Sequence, residues 1–314
     1  MEDLILIALG GNAIKGEGDL GTFEQQYERI YESCLGIAKI VKEGYKVIIT
    51  HGNGPQVGNL LIQQERASDE VPPQPLHVCV AMSQGQIGYM IQQALHNRLM
   101  EIGVRRTVVS LVTQVMVSKE DPDFKDPHKP VGPFYDEITA RKYAKERGYI
   151  IKKVKPKGLK PYRRVVPSPR PLEIVEANAV RLLVEAGVIV IASGGGGVPV
   201  IRNGGLKGVD AVIDKDLAGE KLAETVGAEI FMILTDVDKV YLNYGKPNQK
   251  PIDLMDLREA KRYLREGHFL KGSMEPKVEA CIKFLESGGK RAIIAHVNKA
   301  YEALKGLEGT HIVP

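Results

Sequence analysis

The sequence predicts an α/β protein with an open, mainly parallel sheet sandwiched by helices, and a small protruding subdomain. Short apolar runs alternate with longer segments of helical periodicity, which is the pattern of a parallel sheet. Three of those runs end abruptly at glycine-rich turns, at 10–12, 52–54 and 194–197. Strands end in this way at the carboxyl edge of such a sheet, where ligands bind.

The predicted elements follow one another in regular alternation. In the first half we expect strands at 4–9, 46–50 and 108–117 and helices at 23–43, 55–65 and 81–102. In the second half we expect helices at 172–186, 216–226 and 274–286 and strands at 188–192, 230–235 and 292–295. Because 314 residues exceed one core of ordinary size, we expect two lobes, 1–205 and 206–314.

The composition is that of a soluble protein, with 43% hydrophobic and 26% charged residues. The first apolar run follows Glu2 and Asp3 rather than basic residues, so a secretory signal is not indicated. We therefore expect a cytoplasmic protein with no membrane partner. Cys34, Cys79 and Cys281 are odd in number and have no CxxC spacing, so we expect small buried side chains rather than disulfides or zinc ligands.

Positive charge is concentrated in one segment of the chain. Residues 119–170 hold 15 Lys or Arg against 7 Asp or Glu, whereas the whole chain carries only +4. Prolines are frequent there, and a short strand at 149–154 is the only element predicted. Such a segment can be a solvated surface, a nucleic-acid patch or a lid that attracts an anion. It lacks the interleaved aromatic residues of a base-stacking platform, so we expect no nucleic-acid partner.

The glycine turns predict a phosphate site, because backbone N–H groups at strand ends can hold an oxyanion. The usual nucleotide motifs do not fit. Residues 16–21 match GxGxxG but begin six residues after the first strand ends, and residues 52–58 have the spacing GxGxxxG. A Walker A motif is absent from the sequence. A nucleotide would have to be held in another way.

Lys277 is the first candidate for phosphate chemistry. It follows a predicted helix start in which Ser273 can cap the helix and Pro276 lies in the first turn. The helix dipole disfavours a cation there unless an anion is bound. The structural alternative is a long side chain that extends to water.

Lys215 is the second candidate, since it lies between Asp214 and Asp216 where a strand end enters a helix. It could stabilise a transferring phosphoryl group, with Asp214 or Asp216 holding the lysine and helping to place Mg2+. The alternative is an ordinary N-cap at Asp216, paired with Lys215 on the surface. Residues 236–241 could line a nucleotide pocket or be a polar loop. His51, at a strand end, is expected to be a hydrogen-bonding residue without a chemical role.

Five segments, taken in order, resemble the amino acid kinase family and specifically its carbamate kinases. They are 9–13, 50–58, 192–197, 209–218 and 272–280, and the resemblance covers nearly the whole chain. Acetylglutamate kinases of the same fold usually carry a lysine near the first glycine turn, which is missing here. In carbamate kinases a lysine of the protruding subdomain serves instead, and residues 128–133 resemble its setting. This places Lys129 at the site and recasts the basic segment as a lid.

The resemblance implies reversible, Mg2+-dependent phosphoryl transfer between ATP and carbamate, which gives ADP and carbamoyl phosphate. The implied catalytic residues are Lys129, Lys215, Asp216 and Lys277. The implied carbamoyl phosphate contacts, in the first lobe, are Gly10, Gly11, Asn12, Gly52, Asn53 and Gly54. The implied nucleotide contacts are Asp214, Lys215, Asp236, Val237, Tyr241, Met274 and Lys277. Mg2+ is expected to bind mainly through the nucleotide phosphates, with no protein metal ligand assigned.

The same resemblance favours a homodimer and a place in arginine metabolism. The apolar face of the helix at 81–102 could pack in the core or against a second subunit. Three alternatives differ from carbamate kinase activity. They are a related kinase of the acetylglutamate kinase type, a nucleic-acid-binding protein and a catalytically silent nucleotide sensor.

Overall fold

A central sheet of eight strands organises the chain. The computed structural model describes residues 3–16, 18–270 and 272–314, and of Asn12 it describes only the backbone. With strands and helices numbered in chain order, the spatial order is β15 (Leu254–Asp256), β17 (Thr310–Val313), β16 (Arg291–His296), β12 (Ile230–Thr235), β1 (Leu4–Leu9), β2 (Lys46–His51), β9 (Ile189–Ile191) and β3 (Val108–Ser110). All neighbours pair in parallel except β16 and β17.

Helices cover both faces of this sheet. One face carries α1 (Phe23–Lys42), α3 (Leu76–Glu101) and α9 (Ala300–Leu304). The other carries α5 (Ala177–Glu185), α6 (Lys215–Val226), α7 (Leu257–Arg265) and α8 (Met274–Glu286). Strand β1 shows why both faces are apolar. Its Ile5, Ile7 and Leu9 pack on the first set of helices, whereas Leu6 and Ala8 pack on the second.

The remaining elements lie around the sheet. A second sheet contains β11 (Leu206–Gly208), β10 (Val198–Arg202), β4 (Gln114–Met116) and β8 (Glu173–Ile174), and a hairpin joins β13 (Val240–Leu242) to β14 (Lys250–Ile252). Helix α2 (Gly54–Arg66) follows the second glycine turn. The segment at 119–170 contains β5 (Lys129–Tyr135), α4 (Glu137–Arg147), β6 (Ile151–Lys153) and β7 (Tyr162–Val166), and its three strands form their own sheet. The mainly parallel, helix-sandwiched fold is therefore confirmed, and the basic segment is more regular than predicted.

Two element predictions were wrong for physical reasons. The strand expected at 108–117 is split into β3, which pairs with β9, and β4, which pairs with β10 in the second sheet. Between them, Oε1 of Gln84 on α3 accepts from the backbone N–H and the hydroxyl of Thr113, so the chain does not continue along β9. Residues 173–174 of the helix expected at 172–186 instead form strand β8, and Leu172 N, just before this strand, donates to Met116 O at 2.9 Å. The helix begins only at Ala177.

Two further expectations can be compared with the structure. The helix expected at 81–102 begins five residues earlier, at Leu76, directly after Pro75. Cys34, Cys79 and Cys281 are all buried free thiols, as predicted. Within the described ranges, no helix is long and apolar enough to cross a bilayer.

Candidate active site

The three glycine turns meet at the carboxyl edge of the central sheet. A Cβ on Gly52 would lie 3.3 Å from the N atom of Gly11 and 3.2 Å from Cδ of Lys215. A Cβ on Gly195, whose φ is +63°, would lie only 2.1 Å from Nδ2 of Asn53. Glycine at these positions lets the turns and the lysine side chain pack against one another, and together they form one wall of a cavity.

The sheet itself uses two of the N–H groups expected to hold an anion. Gly10 N donates to Leu234 O at 2.8 Å, and Gly52 N donates to Leu9 O at 3.0 Å. Gly10 and Gly52 can therefore serve the site through the close approach they allow, not as N–H donors. Gly54 begins α2, where the first N–H groups of a helix point outward. The side chain of Asn12 lies outside the described part of the chain.

Two lysines share one buried carboxylate at the centre of the site. Lys215 pairs with Oδ1 of Asp216, and Lys277 Nζ lies 3.1 Å from Oδ2. The Asp216 side chain is only 3% exposed, and each lysine side chain is 14% exposed. Burial alone would raise the pKa of Asp216, but Lys215 and then Lys277 outweigh it and hold that pKa below its usual value. Because two ammonium groups contact one carboxylate, the cluster carries a net positive charge, which favours the binding of a further anion.

The local structure explains how these side chains are placed. Asp214 caps α6 by accepting from Asp216 N at 2.9 Å, so the alternative in which Asp216 is the N-cap was wrong. Ser273 makes no side-chain capping bond to α8, which corrects the expectation that it caps this helix. Lys277 Nζ lies 3.3 Å from Ser273 O, so the side chain turns back toward the start of its helix and does not extend to water.

Lys129 approaches the same place from the protruding subdomain. Its Nζ lies 3.9 Å from Oδ2 of Asp214, and its side chain is 42% exposed. Since Asp214 and Asp216 are joined by the capping bond, Lys129, Lys215 and Lys277 all surround the first turn of α6. The structure thus brings together the three lysines that the sequence singled out.

Two cavities lie on either side of this cluster. The first, the glycine-lined cavity, is lined by Gly11, Gly52, Asn53, Gly54, Pro55, Val57, Lys129, Pro130, Val131, Arg163, Gly195, Val212, Ile213, Asp214 and Lys215. The second, the aromatic cavity, is lined by Thr235, Asp236, Val237, Lys239, Tyr241, Tyr244, Phe269, Leu270, Ser273, Met274 and Lys277. Because Lys215 lines one cavity and Lys277 the other, Asp216 links them.

Most of the predicted contacts line these cavities. Asp214 and Lys215, which the resemblance places at the nucleotide, line the glycine-lined cavity. Sequence reasoning missed Arg163 in the first cavity and Tyr244, Phe269 and Leu270 in the second. The adjacent basic residues at 163–164 were visible, but nothing in the sequence distinguished the one that faces a cavity.

His51 is a buried, hydrogen-bonded side chain in this geometry. It is buried beneath the third glycine turn, where a Cβ on Gly194 would lie 2.3 Å from its Nε2. Its Nδ1 donates to Gly52 O at 2.9 Å, and burial lowers the pKa of the imidazole to about 4. His51 is therefore neutral near pH 7 and serves as packing under the turn.

Comparison with known proteins places the chain in a family. The model of the amino acid kinase family matches residues 3–296. A carbamate kinase from Pyrococcus horikoshii is 54% identical over 317 residues, covering 100% of both chains, and one from Thermococcus kodakarensis is 56% identical over 313 residues, covering 98% of each. The structure of a carbamate kinase from Giardia lamblia bound to AMP-PNP superposes with a TM-score of 0.94 at 44% identity, covering 99% of this chain and 98% of that one.

The chain therefore belongs to the amino acid kinase family. Within that family its similarity over the full length is to the carbamate kinases, so the predicted resemblance is confirmed.

Proposed function

We propose that this protein catalyses the reversible transfer of a phosphoryl group between ATP and carbamate, with ADP and carbamoyl phosphate as the other substrate pair. One observation carries the proposal. Lys129, Lys215 and Lys277 converge on the first turn of α6, between two cavities that could each hold one reactant. Phosphoryl transfer requires positive groups around the moving phosphoryl group and little covalent chemistry from the protein.

The aromatic cavity suits a nucleotide. Tyr241, Tyr244 and Phe269 provide flat apolar surface for a base, whereas Lys277 provides a cation at the end next to the lysine cluster. A nucleotide bound in this orientation would direct its phosphates toward Lys215 and Lys277, the two lysines that contact Asp216. A relative of this chain has been solved with AMP-PNP, a non-hydrolysable analogue of ATP.

The glycine-lined cavity suits a small anion. Among the described residues that line it, the charged side chains are the cations Lys129, Arg163 and Lys215 and the carboxylate Asp214. The excess of positive charge favours carbamoyl phosphate, and the glycines let a small substrate approach the backbone closely. We place carbamate in the lobe at 1–205 and the nucleotide in the lobe at 206–314.

The chain contributes position and charge to the reaction. The carbamate oxygen is an adequate nucleophile, so in-line placement matters more than proton removal, and neutral His51 is not needed as a base. Lys215 and Lys277 would neutralise charge on the transferring group. Asp216 contacts both ammonium groups and orients them before substrate arrives, so little reorganisation is required during the reaction.

Mg2+ would supply further neutralisation at the nucleotide phosphates. Within the described ranges, no three His, Cys, Asp or Glu side chains are grouped to hold a metal ion. Both carboxylate oxygens of Asp216 are engaged by lysines. Asp214 and Asp236 are carboxylates on the two cavity walls, and kinases commonly combine one or two carboxylates with substrate phosphates to bind Mg2+. These residues fit a metal bound mainly through the nucleotide.

We further propose a cytoplasmic homodimer that acts in arginine metabolism. The exposed Met82 and Tyr89 on α3 support the dimer, since they leave apolar surface on a helix whose other side is buried.

The proposed reaction can be tested directly. Purified protein mixed with Mg2+, ADP and carbamoyl phosphate should form ATP, and in the reverse direction ATP should be consumed with carbamate but not with acetylglutamate. ADP release with acetylglutamate, or with another acylated amino acid, would identify that compound as the phosphoryl acceptor in place of carbamate. Nucleotide binding without any transfer would indicate a sensor.

A further inference from the structure

Arg163 lines the glycine-lined cavity from the protruding subdomain, beside Lys129. It lies on β7, where successive side chains point to opposite faces. Its neighbour Arg164 is buried and fixed, with Nη2 2.7 Å from Oδ2 of Asp210. The two adjacent arginines therefore have different surroundings, and only Arg163 faces the cavity.

No carboxylate in the described part of the chain forms an ion pair with Arg163. Its guanidinium donates instead to a single carbonyl, Gly132 O, from Nε at 3.1 Å and from Nη2 at 2.7 Å. A guanidinium has five N–H groups, so these contacts leave three that can donate to a ligand. Burial lowers the pKa of Arg163, which is the direction expected for a cation removed from water without a neighbouring acid.

The surrounding structure holds this guanidinium in place. Gly132 has φ +68° and lies in a bulge of β5 between Val131 and Phe134. The Cζ atom of Arg163 lies 4.9 Å from the centroid of the Phe134 ring. A half-buried cation fixed in this way at the wall of an already positive cavity loses part of its hydration, and a bound anion would compensate for that loss with charge-assisted hydrogen bonds.

We propose that Arg163 binds carbamoyl phosphate directly, as the second cation that the protruding subdomain contributes to the glycine-lined cavity. The proposal rests on the proposed function and adds a residue to its substrate site. A planar guanidinium can donate two parallel hydrogen bonds to phosphate oxygens, which the Lys129 ammonium cannot do. Arg163 would therefore orient the substrate while Lys129 contributes charge.

A purely structural role is the competing explanation. Arg163 donates to Gly132 O in the bulge of β5, and Lys129 also lies on β5. Arg163 could therefore act only by positioning Lys129. A double-mutant cycle separates the two roles. If Arg163 contacts the substrate itself, Arg163→Ala will weaken carbamoyl phosphate binding even when Lys129 has already been replaced by alanine. If it only positions Lys129, the second substitution will have no further effect.

The experiment measures initial rates of ATP formation from Mg2+, ADP and carbamoyl phosphate. Arg163→Ala should raise KM for carbamoyl phosphate by about 10- to 100-fold, the usual loss for a hydrogen bond to a charged group, and leave KM for ADP within about 2-fold. Arg163→Lys should fall between wild type and Arg163→Ala, because it keeps the charge but loses the fork. Lys153→Ala removes an exposed charge from the same subdomain and should change neither constant.

The outcomes distinguish this inference from the proposed function. An active wild type with an unchanged carbamoyl phosphate KM in Arg163→Ala overturns the role of Arg163 alone. An equal rise of both KM values, or loss of the Arg163 effect in the Lys129→Ala background, also overturns it. A wild type that forms no ATP refutes the proposed function, and the assignment of Arg163 falls with it.

Discussion

The body of the molecule and the protruding subdomain each supply cations to the site, but they hold them differently. On the body, Lys215 and Lys277 are 14% exposed and both contact the buried carboxylate of Asp216. On the subdomain, Lys129 is 42% exposed and lies 3.9 Å from Asp214. An exposed pair of that kind contributes only about 0–1 kcal/mol.

The difference indicates two tasks. The buried pair is in place before substrate binds, which is the condition for stabilising charge that develops in the transition state. Within the part of the chain that the structure describes, Lys129 is held by a weak ion pair and Arg163 has no acidic partner, so their interactions improve when an anion enters. We therefore expect body substitutions to lower kcat and subdomain substitutions to raise KM.

The largest effect is expected from Lys215→Ala or Lys277→Ala. Each should lower kcat by about 10²–10³-fold with the fold intact, because each removes a preorganised charge from the transferring group. Lys283→Ala, on the same helix as Lys277 and 3.2 Å from Glu279, is the matched control and should remain close to wild type. Rate measurements and circular dichroism check both statements. Near-normal turnover of both Lys215→Ala and Lys277→Ala would mean that the cations of the body do not stabilise the transferring group.

Asp216→Asn should destabilise the protein as well as slow it. The change leaves two buried ammonium groups without their carboxylate, which costs about 3 kcal/mol or more of unfolding free energy. Asp253→Asn breaks an exposed pair with Lys239 and should cost less than about 1 kcal/mol. Urea denaturation measures both. Equal stability of the two variants would mean that the lysine pair is not held by Asp216 in the way proposed here.

Lys129→Ala should act mainly on carbamoyl phosphate. We expect KM for this substrate to rise about 10-fold, since one charge-assisted contact is lost, while KM for ADP changes little. Lys160→Ala, an exposed lysine of the same subdomain, serves as the control in the same rate assay. If affinity and rate with carbamoyl phosphate are unchanged, Lys129 is an ordinary surface residue and the contrast between the two regions disappears.

The smallest effect on turnover is expected from Glu220→Gln, one helical turn beyond Asp216 on α6. Burial raises the pKa of Glu220 from 4.5 to about 7, opposite in direction to the shift of Asp216. The folded state therefore holds this proton more tightly than the unfolded state. The resulting stabilisation is complete below about pH 4.5 and is lost as the pH rises through about 7.

Glu220→Gln should flatten the dependence of stability on pH. The loss of unfolding free energy between pH 5 and pH 8 should shrink by about 1–3 kcal/mol relative to wild type. Glu185→Gln, which removes an exposed carboxylate from α5, should leave the wild-type dependence in place. Denaturation at several pH values provides the measurement, and parallel curves for Glu220→Gln and wild type would contradict the assigned shift.

The sequence was most informative where local pattern and tertiary structure agree. Strand β12 and helix α8 have the predicted bounds. The apolar run of β12 ends at a polar loop, and a glycine and a proline mark the start of α8. The split at 108–117 could not be predicted, since β-branched residues favour a strand without indicating which sheet it joins. The contact between Gln84 and Thr113 decides that, and it joins residues far apart in the chain.

The site shows the same division. Lys215 and Lys277 were found because each stands near a helix start, where a cation is unusual. Arg163 was missed because Arg164 stands next to it, and only the register of β7 against β5 reveals which side chain faces the cavity. Phe269 lies in the loop before α8, where no periodic pattern predicts burial.

A crystal structure with Mg2+, ADP and aluminium fluoride would test the convergence of the three lysines on one phosphoryl group. Aluminium fluoride bound to ADP imitates a phosphoryl group in transfer. We predict that the Nζ atoms of Lys129, Lys215 and Lys277 will all lie about 3 Å from the fluoride or bridging oxygen atoms. A complex in which the nucleotide occupies the aromatic cavity while Lys215 and Lys277 remain directed only at Asp216, and Lys129 points to solvent, would contradict the proposed mechanism.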